Sequence, residues 1–362
     1  MSEQSLDDFI AWTEKHFTPG FVFLILALTA GTCLVVVTGP FQVNDEITHF
    51  RRAYQVSQGQ LIATRQGDLS GGPIPEAVHK ANEPFDPVTH HAEKRIDTQA
   101  LSDKLHEPFD PDQTCFSHFL MPAVYAPTLY IPQVIGIVMG RVCGLSALGM
   151  LYAGRVTNLL CWIAIVYAAI RITPFYHWVF VLTALLPMNL ALAASLSADA
   201  ATNATTMLLI ALIFRLTYGE NQPIQEWQRA LVAVLCVFLA LAKQTYFPLI
   251  GLIFLMPIPR FGSIRNKLIF CGVVVAASLA ATLFWSAATK GLFVTFIRGN
   301  EPEQMAYLKE NPFVFPKLVI DSIGLQWRQC AFAWIGVLGF LDTWLPKWIY
   351  WSYPFVLILA GL

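Results

Sequence analysis

Charge is what this sequence has least of. Only 13% of its 362 residues are Asp, Glu, Lys or Arg, about half the roughly 25% usual in soluble domains. With 56% hydrophobic residues and 26 Phe, the chain is excluded from the soluble class and reads as a protein crossing a membrane on several helices. Metal-binding spacing is missing too, since the seven cysteines form no CxxC or Cys/His pattern. Cys33, Cys161, Cys236 and Cys271 sit in apolar runs, where a thiol is a small hydrophobe. Only Cys115 is clearly in polar surroundings, with Cys143 and Cys330 near segment ends. There is no Walker loop, no dinucleotide glycine fingerprint and no basic strip, so nucleic acid is not an expected partner.

The charge that exists is concentrated. Half of the 24 acidic residues and six of the eight histidines lie between Gly39 and His118. This is a polar insertion, long enough for short helices but not for a large core of its own. It follows an apolar run, Phe21–Thr38, which lacks a small-residue cleavage pattern and reads as a retained signal anchor.

Further spans are expected at Met150–Ile172, Trp178–Ser195, Ala200–Leu216, Lys267–Ala288, Ala331–Leu345 and from Ile349 onward, approaching the length a hydrocarbon core requires. Two stretches are ambiguous. Phe119–Arg141 carries Pro122, Pro127 and Pro132, and Ala230–Ile258 is interrupted by "AKQTYFP". The loop with Arg260, Arg265 and Lys267 holds no acid and reads as cytoplasmic. If the proline-rich stretch lies on the membrane and Ala230–Ile258 is a hairpin of two short helices, Arg171, Arg215 and Arg229 also fall inside. The acidic insertion, Asp199 and Lys243 then share the outer face. If each stretch crosses once, those arginines are external, Asp199 faces the cytoplasm and Lys243 is stranded within the membrane. The first arrangement is preferred, because three spaced prolines make a poor span, although neighbouring helices can repair such a backbone.

The organisation expected is therefore a cytoplasmic segment over 1–20, a first span over 21–38 and an external loop with juxtamembrane helices over 39–149. Spans with short loops follow over 150–288, then a second external segment over 289–330. C-terminal spans occupy 331–362, with the last apolar run cut short at Leu362.

The stretch "NDEITHFRRAY" carries the densest chemistry. Asp45 and Glu46 are neighbours and cannot share one helix face. Glu46, His49 and Arg52 are three apart and align if Asp45–Ser57 is helical, with Val43, Ile47, Phe50, Ala53 and Tyr54 as an apolar stripe. That pattern predicts an amphipathic helix lying in the interface. Asn44 or Asp45 suits its cap, and acids suit its positive end, but capping leaves His49, Arg51 and Arg52 unexplained. Asp199, in "ASLSADAATN", reads either as a helix cap or as part of a site. Lys243 is an ammonium in an apolar run, costly enough to be functional by default unless it snorkels to the surface; it could offset charge on a phosphate leaving group.

The histidines His79, His90, His91, His106 and His118 are too irregular to predict a metal centre. The repeat "KANEPFDP" and "KLHEPFDP" is read as two proline-bounded turns, each pinning one Phe. Its acids lack the glycine-containing loop of a calcium site. No cofactor is called for, and a divalent metal is left open.

Taken in order, "NDEITHFRRAY", "YAPTLYIPQVIGIVMGR", "GRVTNLL", "LPMNLALAASLSADAATN" and "LALAKQTYFPL" resemble the GT-C superfamily of membrane glycosyltransferases. They come closer still to a family of bacterial membrane proteins of unknown function placed in it. The resemblance implies an all-α polytopic membrane fold with juxtamembrane helices in the first external loop. It also implies an inverting transferase at the outer face of the bacterial cytoplasmic membrane. A polyprenyl-phosphate-linked sugar would be the donor, and an envelope glycan or lipid the acceptor. Asp45 would then be the general base, with Glu46 the second choice. Glu46 and His49 would orient the base or bind sugar hydroxyls. Lys243, with Arg51 or Arg52, would hold the phosphate, and Asp199 and Tyr246 would contribute to substrate binding. Two other functions remain in view: a flippase or transporter of lipid-linked intermediates, and a non-catalytic envelope assembly partner. Transporters often carry paired broken helices, and the sequence suggests only one.

Overall fold

The computed structural model describes residues 17–91, 93–219, 222–294 and 300–362; most of the expected segment 1–20 lies outside them. Its longer helices are α1 Pro19–Val37, α2 Glu46–Ser57, α3 Thr98–His106, α4 Ile131–Val142, α5 Ala147–Ile172, α6 His177–Ala184, α7 Pro187–Ala193, α8 Asp199–Tyr218, α9 Glu226–Ala242, α10 Ile264–Ala288, α11 Glu301–Glu310, α12 Val314–Gly336 and α13 Lys347–Gly361. The protein is an all-α polytopic membrane protein. Helices α1, α5, α8 and α10 are long and apolar enough to cross a membrane, and α1, α5 and α8 share a core built on Phe23, Trp162, Val166 and Ala204.

The span expected at Trp178–Ser195 is interrupted, forming α6 and α7. Pro187 starts the second piece and has no N–H to give the carbonyl four residues back. That carbonyl, on Thr183, accepts instead from Asn189 Nδ2 at 2.7 Å. A side chain thus makes good the backbone bond that proline removes, as apolar surroundings demand.

Each proline of the Phe119–Arg141 stretch opens a new helical piece: short turns at Met121–Val124 and Pro127–Tyr130, then α4. Proline is at home in a first turn, where no N–H is needed, so this stretch is segmented. α4 lies so close against α5 that a Cβ on Gly136 would overlap the Ala153 carbonyl oxygen.

α9 stops at Ala242. Lys243 is extended (φ −151°, ψ 141°), and short turns carry the chain back to Phe261. The return is fixed where Ile224 N donates to the Arg260 carbonyl at 3.1 Å, so the stretch is a hairpin with Lys243 at its tip. α10 then runs alongside: near its far end Thr282 Oγ1 donates to Ala240 O at 3.2 Å.

Two further features depart from the expected organisation. The span placed at Ala331–Leu345 does not form. α12 ends at Gly336, and the chain turns back through strands β4 Val337–Leu338 and β5 Thr343–Trp344, a reversal that needs positive φ at Gly339 (67°) and Leu341 (63°). The polar insertion also contains an antiparallel sheet as well as helices: β1 Thr64–Gln66, β2 Leu69–Pro75 and β3 Thr114–His118, in order β1-β2-β3. Gly71 allows β2 and β3 to meet, since a Cβ there would overlap the Ser117 carbonyl oxygen. The two repeat phenylalanines pin this loop to the α2 region, Phe85 beside Phe41 and Phe109 beside Tyr54.

Candidate functional site

The exit of α1 is clamped by one arginine in α5. Arg155 donates from Nε and Nη2 to the two carboxylate oxygens of Glu46 at 2.8 and 2.5 Å. It also donates to the carbonyls of Thr38 and Gly39 at 2.7 and 2.9 Å. Glu46 further accepts from the backbone N–H of Phe41 and of Leu196, at 3.0 and 3.2 Å. Every lone pair of this carboxylate is committed, and the side chain is closed to solvent. Glu46, the second choice for the base, is therefore corrected to a structural ion that ties α2 to the turn before α8.

That turn is held from three sides. Asn158 Nδ2 donates to Ser195 O at 2.7 Å, Gln133 Nε2 to Ser197 O at 3.1 Å, and Glu46 takes the Leu196 N–H. The clamping presents Asp199, the first residue of α8, to Lys243 at the hairpin tip, with Oδ1 to Nζ 2.5 Å. Asp199 is not the cap residue of α8; its carboxylate is spent on the lysine, which also stands 5.7 Å from the centre of the Tyr125 ring. Tyr246, one turn beyond, is within electrostatic range of both charges.

Asp45 stands at the head of α2 in the left-handed region (φ 61°, ψ 5°), and its side chain makes no capping bond. The cap role expected for it is thus absent. One oxygen accepts from Asn44 Nδ2 at 2.8 Å, while the side chain is exposed at the mouth of a cavity. Partial burial raises its pKa above the ordinary carboxylate value, as does the Asp199 charge, and Lys243 pulls the other way. His49, one turn on, is buried with Nδ1 2.9 Å from the Tyr130 hydroxyl. Burial pushes its pKa down to about 4, which keeps the imidazole neutral at ordinary pH.

Arg51 and Arg52 do not join this group. Arg51 donates to the His79 carbonyl and to Asn82 Oδ1 at 2.5 and 3.0 Å. Arg52 donates to Gln55 and to the carbonyls of Leu61 and Tyr125. Both are buried braces of the loop, so their expected phosphate role is corrected: guanidiniums facing carbonyls inside the fold cannot meet a ligand in the cavity.

Two cavities meet at the Asp199–Lys243 pair. The first, of about 230 Å³, takes in Asp45, His49, Ser197 and Asp199, and the β4–β5 hairpin roofs it through Leu338 and Gly339. The second, of about 520 Å³, is mainly apolar and runs between Tyr125, the α9 end with Lys243, and Trp285 and Phe293. Trp285 Nε1 fixes one wall by donating to Val124 O at 2.8 Å. A carboxylate with heightened proton affinity and a neutral imidazole thus line a small chamber, and the ammonium lines the larger groove beside it.

Sequence reasoning brought Asp45, His49, Asp199 and Lys243 to one place, but gave no role to Arg155 or the roof hairpin and read Tyr130 as a headgroup-level residue, whereas it is buried against His49. For Arg155 the signal was present: an arginine within an apolar span is costly and needs a partner. The match to a family model covers residues 28–362 and gives the family as predicted membrane protein (DUF2142). The chain belongs to that family. No curated protein and no solved structure matches it.

Proposed function

We propose that this member of a family of predicted membrane proteins is a glycosyltransferase of the GT-C kind. It would move a sugar from a polyprenyl-phosphate-linked donor to an envelope glycan or lipid at the outer face of a bacterial cytoplasmic membrane. One observation carries the reading: the Asp199–Lys243 pair stands where a small chamber holding Asp45, His49 and Ser197 adjoins a larger and more apolar groove. A lipid-linked sugar phosphate has the same division, with an apolar chain, an anionic junction and a polar sugar.

In this reading Asp45 takes the proton of the acceptor hydroxyl as its oxygen attacks the anomeric carbon. The bond from that carbon to the phosphate oxygen breaks, the phosphate leaves with the electron pair, and configuration inverts. Lys243 exchanges Asp199 for the phosphate and offsets the charge developing there. Neutral His49, held by Tyr130, orients sugar or acceptor hydroxyls, Tyr246 borders the phosphate, and the groove takes the first units of the polyprenyl chain. The far end of the bundle, where Arg171, Arg215 and Arg260 gather, supports this orientation, since the positive-inside rule favours the cytoplasmic side for such a cluster.

The test is Asp45→Asn in membranes supplied with labelled lipid-linked sugar. The expected result is a folded, inserted protein whose transfer to acceptor is lost. Full transfer by that variant removes Asp45 as the base. Transfer lost by neither Asp45→Asn nor Lys243→Gln, with lipid movement across the bilayer lost in both, would favour the flippase.

A further inference from the structure

A third cavity, also of ligand size, lies at the opposite end of the bundle. Asp199 and Arg215 sit at the two ends of α8, about 24 Å apart at 1.5 Å per residue. Around Arg215 opens a space of about 300 Å³, also lined by Arg171, Arg260, Gln225 and Gln228. Among the described residues no acid lines it, and none of the three arginines has a carboxylate partner. Arg171 and Arg215 each occupy the last turn of a helix, where a cation offsets the negative end of the helix dipole. That accounts for two of the three.

Arg260 needs another explanation. It comes from the short turn Ile258–Phe261, is 6% exposed, and donates from Nη2 to the Gly219 carbonyl at 2.6 Å. Its Nε–H is buried and meets no acceptor, a costly state for a charged group. A planar fork with an unspent donor, beside two further guanidiniums and an open space, is arranged to receive an anion with several oxygens. Depth in the membrane narrows the class. Tyr176, Trp178, Tyr218 and Trp227 are exposed at this same end, and such aromatics mark the headgroup level.

We propose that this cavity binds the phosphate of an anionic membrane lipid, in the leaflet opposite the Asp45 chamber. The headgroup phosphate sits among Arg171, Arg215 and Arg260, its acyl chains pass out between the aromatic residues, and the glutamines face the headgroup. This site stands apart from the sugar-transfer reading and survives its failure.

The test uses the full chain in neutral-lipid nanodiscs, titrated with phosphatidylglycerol, with phosphatidylcholine and with inorganic phosphate, and followed by thermal unfolding and by native mass spectrometry. Phosphatidylglycerol is expected to raise the unfolding midpoint and to remain bound, and phosphatidylcholine to do neither. Because Arg260 is buried and its loss could unfold the protein, the variant is the double Arg171→Gln, Arg215→Gln, at exposed positions. It should fold and bind phosphatidylglycerol about thirtyfold more weakly, as expected for two lost surface guanidiniums. Equal binding by parent and double variant overturns the site. An equal rise in midpoint with inorganic phosphate alone overturns the lipid assignment.

Discussion

Glu46 and Arg155, 109 residues apart in sequence, meet through two hydrogen bonds at 2.8 and 2.5 Å with neither side chain open to solvent. The pair joins the first turn after α1 to the middle of the bundle. Its neighbour Asp45 is thereby left free to face the chamber.

Removing one member of that pair strands a buried charge. Arg155→Ala is expected to cost about 3–5 kcal/mol, measured as loss of folded protein on thermal unfolding in detergent. Glu46→Leu combined with Arg155→Met should lose less than the two single changes summed. Additive losses would mean that the pair is not coupled.

On the proposed function, with Asp45 as base, the acid limit of transfer should move in opposite directions with the two partners of the ion pair. Asp199 raises the Asp45 pKa and Lys243 lowers it. A base works only above its pKa. Asp199→Asn should therefore shift the acid limb of the rate profile to lower pH, and Lys243→Gln should shift the residual limb higher. Movement in the same direction in both variants would place the titrating group elsewhere.

His49 makes stability depend on pH. Its folded pKa, about 4, is below the ordinary value near 6.5, so between those values the unfolded chain binds the extra proton. Stability is full above the upper value and falls as pH drops through the window, by on the order of 3 kcal/mol. Midpoints of thermal unfolding recorded from pH 7 to 4 should show the loss, and His49→Gln should flatten it.

Asn189→Ala leaves the Thr183 carbonyl without the donor that Pro187 cannot supply. The expected cost is about 1–3 kcal/mol, read by thermal unfolding. Pro187→Ala in the same background should recover part of it, because alanine can restore the backbone bond.

The long spans were legible because unbroken apolar runs have few alternatives in a bilayer, and α1, α5, α8 and α10 all fall where such runs stand. The Lys243 break was legible for a related reason, since a charge there must be placed somewhere. The sheet was not. β2 reads Leu-Ser-Gly-Gly-Pro-Ile-Pro, a composition that argues against a strand, and it pairs only because glycine permits close approach to β3. Nor could adjacent carboxylates be told apart from sequence. Glu46 is structural because Arg155 lies opposite it, and Arg51 and Arg52 are braces because carbonyls of the loop surround them. Those partners are set by tertiary packing.

The backbone N–H of Asn44, beside Asp45, donates to the carbonyl of Gly339 in the roof hairpin at 3.3 Å. The two halves of this contact leave the ribosome far apart in time. The acidic lip is made early, and its cover arrives only after α5, α8 and α10 have been made. A nascent chain therefore holds its chamber open until the hairpin has followed those spans.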